Sequence, residues 1–150
     1  MSTPSDLTSH LGFWLRYVSN HVSQAFARKL EDHDVTVAEW VLLRELYDAT
    51  ALSPSRLAEQ IGLTRGAITK LADRLIAKAL VVREANPDDA RAQTLAITPA
   101  GRALVPQLSA LADRNDAEFF GHLDPEARSH LERTLKDIIE RRGLTALPLS

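Results

Sequence analysis

Apolar residues recur every three or four positions along most of the chain. Between about positions 6 and 30 this repeat predicts one long amphipathic helix. A second helix is predicted from Thr36, because Glu39 three residues later completes a capping box. A last helix is predicted between Asp124 and Gly143, with four aliphatic residues on one side. Those residues are Leu131, Leu135, Ile138 and Ile139.

A helix-turn-helix pattern occupies the middle of the chain. Ser53 and Pro54 suit the N-cap and the first position of a short helix. Gly62 interrupts that helix, and Thr64 is placed to cap a second one over about residues 65–78. The two helices are therefore predicted to be separated by a tight turn.

A β-hairpin is predicted directly after these helices. β-Branched runs at Val81-Val82 and at residues 95–97 flank the turn-forming sequence NPDD. Thr98 and Pro99 then restart a helix that is predicted to reach about Gly121. The fold class predicted from this order is mainly α with a small hairpin wing, a winged helix-turn-helix.

Composition narrows the class of protein. A length of 150 residues favours one domain with a sizeable core. The absence of cysteine excludes disulfides, thiolate nucleophiles and Cys-based zinc sites. No apolar run approaches the roughly 20 residues of a membrane span, and no leader pattern is present. These features predict no membrane partner and a cytoplasmic location.

Charge is distributed unevenly along the chain. Residues 53–102 carry eight Lys or Arg against five Asp or Glu, a net charge of +3. Residues 1–52 carry −3 and residues 103–150 carry −2, so the whole chain has a formal charge of −2. This partition predicts a local surface that faces an anion on an otherwise acidic body.

Cationic and small residues occur together at the start of the second helix of the motif. In a helix-turn-helix these positions reach base edges in the major groove, where Arg and Lys suit guanine. Gly66 permits close backbone approach, and the helix N-terminus at Thr64 suits a phosphate. The alternative is a solvated basic face without a ligand. The predicted DNA contacts are Ser53, Ser55, Thr64, Arg65, Gly66, Thr69, Lys70 and Arg74.

The hairpin tip supplies two further predicted DNA contacts. Arg91 is placed to enter the minor groove, where a narrow groove attracts a guanidinium. Asp89 is predicted to hold that arginine through an ion pair. The alternative is that the two residues only pair across the turn, although an exposed pair contributes about 0–1 kcal/mol.

One stretch of the sequence resembles the MarR family of multiple antibiotic resistance regulators. The stretch reads LAEQIGLTRGAITKLADRLIAKALVVREANPDDARAQTLAITPAG and contains the D-R-L, L-V-x-R, N-P-x-D-x-R-A and L-T-x-x-G spacings of that family, the last as ITPAG. The resemblance implies a homodimeric repressor of a pseudo-palindromic operator that is released by a small, often aromatic, anion. It also implies a single MarR-like domain over residues 1–150. Within it, residues 6–34 and 99–142 hold the dimerisation helices and residues 35–98 form the DNA-binding lobe.

The chain departs from the family pattern at two positions. Ala90 replaces the first of two arginines at the wing tip, which leaves Arg91 to make the minor-groove contact alone. Ala79 stands where the family favours glycine. If residue 79 is left-handed, alanine costs about 1 kcal/mol relative to glycine. The alternative is that the helix ends without that cap.

The ends of the chain carry the predicted dimer and effector residues. The apolar faces of residues 11–26 and 131–139 are predicted to pack against a second copy, the alternative being that they pack on each other. Aromatic and polar side chains of the first helix favour an aromatic anion, although such residues also pack at interface edges. The candidate effector residues are His10, Trp14, Arg16, Tyr17, His21, His33 and Trp40.

Other classes of function are less well supported by the residues. A winged helix that binds only protein is the alternative, but interface cores tend to be depleted in lysine. No phosphate loop, nucleophile elbow or metal-ligand spacing is readable, so neither an enzyme, a cofactor nor a metal site is predicted.

Overall fold

The computed structural model describes residues 2–86 and 88–145, with the side chains of residues 89–91 excepted. Helices dominate, and the one described sheet is an antiparallel hairpin, which confirms the predicted fold class. A 3₁₀ turn at Leu7–Ser9 precedes α1. The elements that follow are α1 (Leu11–Glu31), α2 (Val37–Tyr47), α3 (Pro54–Ile61), α4 (Arg65–Ala77), β1 (Val81–Asn86), β2 (Asp89–Ile97), α5 (Pro99–Phe120) and α6 (Pro125–Arg142).

Side-chain caps fix where five of the helices begin. At α2 the Thr36 hydroxyl accepts from the Glu39 N–H at 3.1 Å, and Glu39 Oε1 accepts from the Thr36 N–H at 2.9 Å. This is the predicted capping box. The caps of α3, α4, α5 and α6 each accept from the backbone N–H three residues on. They are Ser53, Thr64, Thr98 and Asp124.

The core lies where α2, α3, α4 and the hairpin meet the first half of α5. Leucine and isoleucine fill it, and Leu42, Leu57, Ile68 and Leu75 are fully buried. Leu52 extends the hairpin, because its backbone exchanges two hydrogen bonds with Leu95 at 2.9 and 2.7 Å. The helix-turn-helix is thereby fixed against the wing.

The outer faces of α1 and α6 are not covered by the other described residues of the chain. Their large apolar side chains are 38–79% exposed, and α6 contains no buried residue. Within the described residues the two faces therefore do not bury each other, which was the alternative to dimerisation. The exposed residues are Leu11, Trp14, Leu15, Val18, Leu131, Leu135, Ile138 and Ile139.

The loop between α4 and β1 is held tightly against the start of α5. Thr98 donates its N–H to the Leu80 carbonyl at 3.1 Å and its hydroxyl to the Ala79 carbonyl at 2.8 Å. Gly101 lies so close that an ideal Cβ there would be 2.3 Å from the Leu80 oxygen. The ITPAG segment thus connects the DNA-binding lobe to α5. Its glycine is required because a side chain at position 101 would clash with the Leu80 backbone.

Ala79 adopts the left-handed conformation, with φ at 61°. The first of the two possibilities for this position is therefore the one observed. We expect Ala79→Gly to raise the free energy of unfolding by about 1 kcal/mol, because glycine has no Cβ to clash in this region. Urea denaturation followed by circular dichroism measures the change.

Ala110→Gly is the matched control, since Ala110 is exposed and lies inside α5. There the same change should lower stability by about 0.5–1 kcal/mol, because glycine is a poor helix former. Equal signs at the two positions would show that the backbone conformation of Ala79 carries no cost.

Candidate nucleic-acid interface

The N-terminal half of α4 presents its polar side chains to solvent. Arg65, Gly66, Thr69 and Lys70 are all exposed, as the helical period predicts. The opposite face of α4 is buried in the core through Ile68, Leu71, Ala72 and Leu75. One face of this helix is therefore fixed by packing, and the other is free to meet a ligand.

The hydroxyl groups of Thr64 and Thr69 differ in the hydrogen bonds that they can still make to a ligand. Thr64 Oγ1 accepts from the Ala67 N–H at 3.1 Å, so its own proton remains available to a phosphate. Thr69 Oγ1 donates to the Arg65 carbonyl at 3.0 Å. Thr69 consequently offers an acceptor and a methyl group to a ligand, rather than a donor.

Lys78, the C-cap residue of α4, binds other residues of the fold instead of facing solvent. Its Nζ lies 3.1 Å from both carboxylate oxygens of Glu39 and 2.5 Å from the Asp34 carbonyl. The Glu39 side chain is only 1% exposed. Of the four Lys and Arg residues between positions 65 and 78, Arg65, Lys70 and Arg74 are exposed, whereas Lys78 is a structural partner of Glu39.

The carboxyl of Glu39 titrates below its usual range. Burial acts to raise its pKa, but hydrogen bonds from the Thr36 N–H and the Lys78 ammonium outweigh burial. The net pKa is lower than the ordinary value of 4.5, so the carboxyl is charged at neutral pH. This pair secures the end of α4 to α2 and to the loop after α1.

A recess of about 390 Å³ separates α4 from the hairpin and the start of α3. Ser53 and Ser55 line it together with Arg65 and Thr69, so four of the predicted DNA contacts share one concave surface. Ser53 Oγ accepts from the Arg56 N–H at 3.1 Å and still has its proton to donate. The recess is therefore cationic and rich in hydroxyl groups.

Arg83 of β1 also lines this recess, although it is absent from the predicted contacts. Its guanidinium forms an ion pair with Asp73 on α4. Strand alternation indicates its position, because Arg83 is two residues after the buried Val81 and so lies on the same face of the hairpin. The signal was present in the sequence as the arginine of L-V-x-R.

The wing tip is only partly covered by the structure. The backbone of Asp89 and Arg91 belongs to β2, and the strand register shifts between Ala85 and Asn86. The side chains of Asp89 and Arg91 lie outside the described residues. The minor-groove contact and its supporting ion pair stay predictions.

The aromatic residues predicted to bind an effector lie on the surface of α1. Trp14 is 49% exposed and donates its indole N–H to the Thr8 carbonyl at 3.0 Å. Tyr17 stacks on His21 with ring centroids 5.2 Å apart. His10 and Arg16 are exposed as well. This arrangement is an open ridge in the single chain.

The remaining effector candidates are less exposed. Trp40 is half-buried and packs edge-to-face against Phe26, with the ring centroids 6.3 Å apart. His33 is also half-buried and lies in the loop after α1. A second cavity of about 160 Å³ lies between α5 and α6, with Phe120, Leu123 and Leu131 in its wall. Neither cavity is lined by a predicted effector residue, so this set also stays a prediction.

Metal binding and membrane insertion receive no support from the described part of the chain. No cluster of three or more His, Asp or Glu residues is placed there to hold a metal ion. None of the helices within residues 2–86 and 88–145 is long and apolar enough to cross a bilayer.

Comparison with known proteins gives consistent matches. A sequence model of the MarR family matches residues 33–92. A putative transcriptional regulatory protein for the hcr operon of Thauera aromatica is 30% identical over 140 residues, which cover 93% of this chain and 84% of that protein.

Two solved structures share the fold over nearly their whole length. A mutant MarR from E. coli in complex with operator DNA has a TM-score of 0.81 at 27% identity, covering 90% of this chain and 99% of that one. Bordetella bronchiseptica BpsR, studied for the regulation of its DNA binding by 6-hydroxynicotinic acid, also scores 0.81 at 26% identity. That match covers 91% of this chain and 97% of BpsR.

Proposed function

Because the chain belongs to the MarR family of transcription regulators, we propose that it is a homodimeric repressor that acts in the cytoplasm and releases a pseudo-palindromic operator when a small molecule binds. Proteins of this family are regulators and not enzymes. The operator contacts proposed for this chain are those of α4, the start of α3 and the wing.

One observation carries the proposal. Exposed Arg65 at the start of α4 shares a concave surface with the hydroxyls at the start of α3 and with a wing strand. Arg65, Thr69 and Ser55 come from two helices that packing holds in a fixed relation. A rigid polar face of this kind suits the major groove and its bordering phosphates.

Dimerisation is supported by the uncovered faces of α1 and α6. Contiguous apolar side chains on a water-exposed surface mark an interaction site. The two faces flank the lobe at the ends of the chain, so a second copy would bury both. A two-fold dimer also suits a palindromic operator, because each lobe then meets one half-site.

Release by a small molecule is supported by the relatives. The BpsR study names 6-hydroxynicotinic acid, and Rhodococcus jostii CouR was solved with p-coumaroyl-CoA. Both ligands contain an aromatic ring. Trp14, Tyr17 and His21 offer ring faces for such a ligand, and a second copy packed on α1 would turn the open ridge into an enclosed site.

A salt titration tests the proposed DNA binding. We expect the affinity for duplex DNA to fall steeply with salt, with a log–log slope near −0.9 for each phosphate neutralised. Fluorescence anisotropy of a labelled duplex selected in vitro by the protein, repeated with a random duplex, measures both slopes. A flat titration on both duplexes would favour the alternative of a winged helix that binds only protein.

Arg65→Ala tests whether α4 reads sequence. We expect a loss of about 1–3 kcal/mol in binding free energy on the selected duplex and little change on random DNA, because a bidentate base contact is lost. Arg141→Ala is the control, since Arg141 lies on α6 in an ion pair with Asp137. Equal losses on the two duplexes would make Arg65 a phosphate contact instead.

A further inference from the structure

Arg83 occupies an unusual position on the hairpin. It pairs with Leu95 across the strands, and Val81 before it is buried. Successive side chains of a strand point to opposite faces, so Arg83 lies on the same face as Val81 and Leu95. This face is directed toward α4, and Arg83 lies nearer its solvent edge than Val81. Its side chain is 35% exposed, which places the guanidinium at the mouth of the recess.

The ion pair with Asp73 orients the guanidinium of Arg83. Its carboxylate accepts a hydrogen bond from Arg83 Nη2, and it follows Arg65 and Thr69 at four-residue intervals along α4. Asp73 is 60% exposed, and an exposed ion pair contributes little to stability. An arginine held through one nitrogen keeps further N–H donors free, in a fixed direction.

We propose that Arg83 binds one backbone phosphate of the DNA at this recess, together with the hydroxyls of Ser53 and Ser55, and that Asp73 is its positioning residue. The chemistry fits, because arginine and serine side chains are common partners of phosphate oxygens. This inference rests on the proposed DNA binding. It adds a contact from the body of the hairpin, separate from the wing tip.

The first test compares Arg83→Ala with wild-type protein on the selected duplex and on random DNA. We expect about a tenfold loss of affinity on both, because a charged hydrogen bond is lost and a phosphate carries no sequence information. The log–log salt slope should also become shallower by about 0.9. Arg141→Ala should change neither quantity, and thermal melts should show that both variants are folded.

A methylphosphonate scan of the selected duplex locates the phosphate. Neutralising the one phosphate that Arg83 binds should weaken wild-type protein more than Arg83→Ala, which keeps only the hydroxyls of Ser53 and Ser55 at that phosphate. If every methylphosphonate weakens both proteins equally, Arg83 binds no phosphate and the inference is wrong. If wild-type protein has no salt-dependent DNA binding at all, the proposed function itself fails, which is a different result.

Asp73→Asn separates positioning from simple charge. In wild-type protein we expect this change to weaken DNA binding, because Arg83 loses its direction. In the Arg83→Ala background the same change should strengthen binding, since only a repulsive carboxylate is removed. An increase of equal size in both backgrounds would mean that Asp73 acts only by its charge.

Discussion

Gly101→Ala is expected to lower the free energy of unfolding by about 3 kcal/mol, because the added methyl has no space. Its Cβ would lie 2.3 Å from the Leu80 oxygen and 2.8 Å from Ile97 Cγ1. The first of these atoms is backbone, so relief requires the loop between α4 and β1 to leave the start of α5. Urea denaturation of the variant and of wild-type protein measures the loss.

Gly66→Ala provides the control for this substitution. Gly66 is exposed on α4, and an added Cβ would find only Thr64 Oγ1, at 4.0 Å. Here alanine should raise stability by up to about 1 kcal/mol through its better helix propensity. If Gly101→Ala is as stable as wild-type protein, the close approach of α5 to Leu80 does not exist in solution.

Lys78→Met should also cost about 3 kcal/mol at neutral pH, because it leaves the carboxylate of Glu39 buried without its cation. The loss should depend on pH. The pKa of Glu39 is lower in the folded state than in the unfolded state. Its charge therefore stabilises the fold at any pH above the unfolded-state pKa, and this contribution is lost as the pH falls through the folded-state pKa. The difference between variant and wild-type protein should therefore shrink below about pH 4.5.

Lys136→Met is the matched control for charge loss alone. Lys136 pairs with Glu132 one turn away at 3.4 Å, and both side chains are largely exposed. Its loss should change stability by no more than about 0.5 kcal/mol at any pH. A Lys78→Met variant with the same small, pH-independent effect would show that the pair with Glu39 contributes nothing.

Most of the fold is readable from local sequence because its signals are local. The caps at Thr36 and Thr64 act within three residues, and the apolar period of α4 determines which side is buried. The same period places Arg65 and Lys70 on the outside. Fold class and the outward face of α4 therefore follow from spacing alone.

Features that join distant parts of the chain give no such signal. Glu39 and Lys78 are 39 residues apart, and neither has a neighbour in sequence that announces the pair. At Ala79 the sequence left two conformations open, and the left-handed one occurs where the Ala79 carbonyl accepts a hydrogen bond from Thr98, 19 residues further along the chain. The recess at Arg83 likewise exists only once the hairpin has packed on α4.

The side chains at the two ends of α4 differ in their contacts with the rest of the fold, and this difference determines which substitutions the helix tolerates. At the C-terminal end Lys78 binds Glu39 and the Asp34 carbonyl, whereas the exposed side chains of Arg65 and Lys70 form no hydrogen bond or ion pair with the described part of the chain. Substitutions at the free end should therefore alter the preferred DNA sequence without endangering folding. A library confined to positions 65, 66, 69 and 70 is expected to yield many folded proteins with new operator preferences.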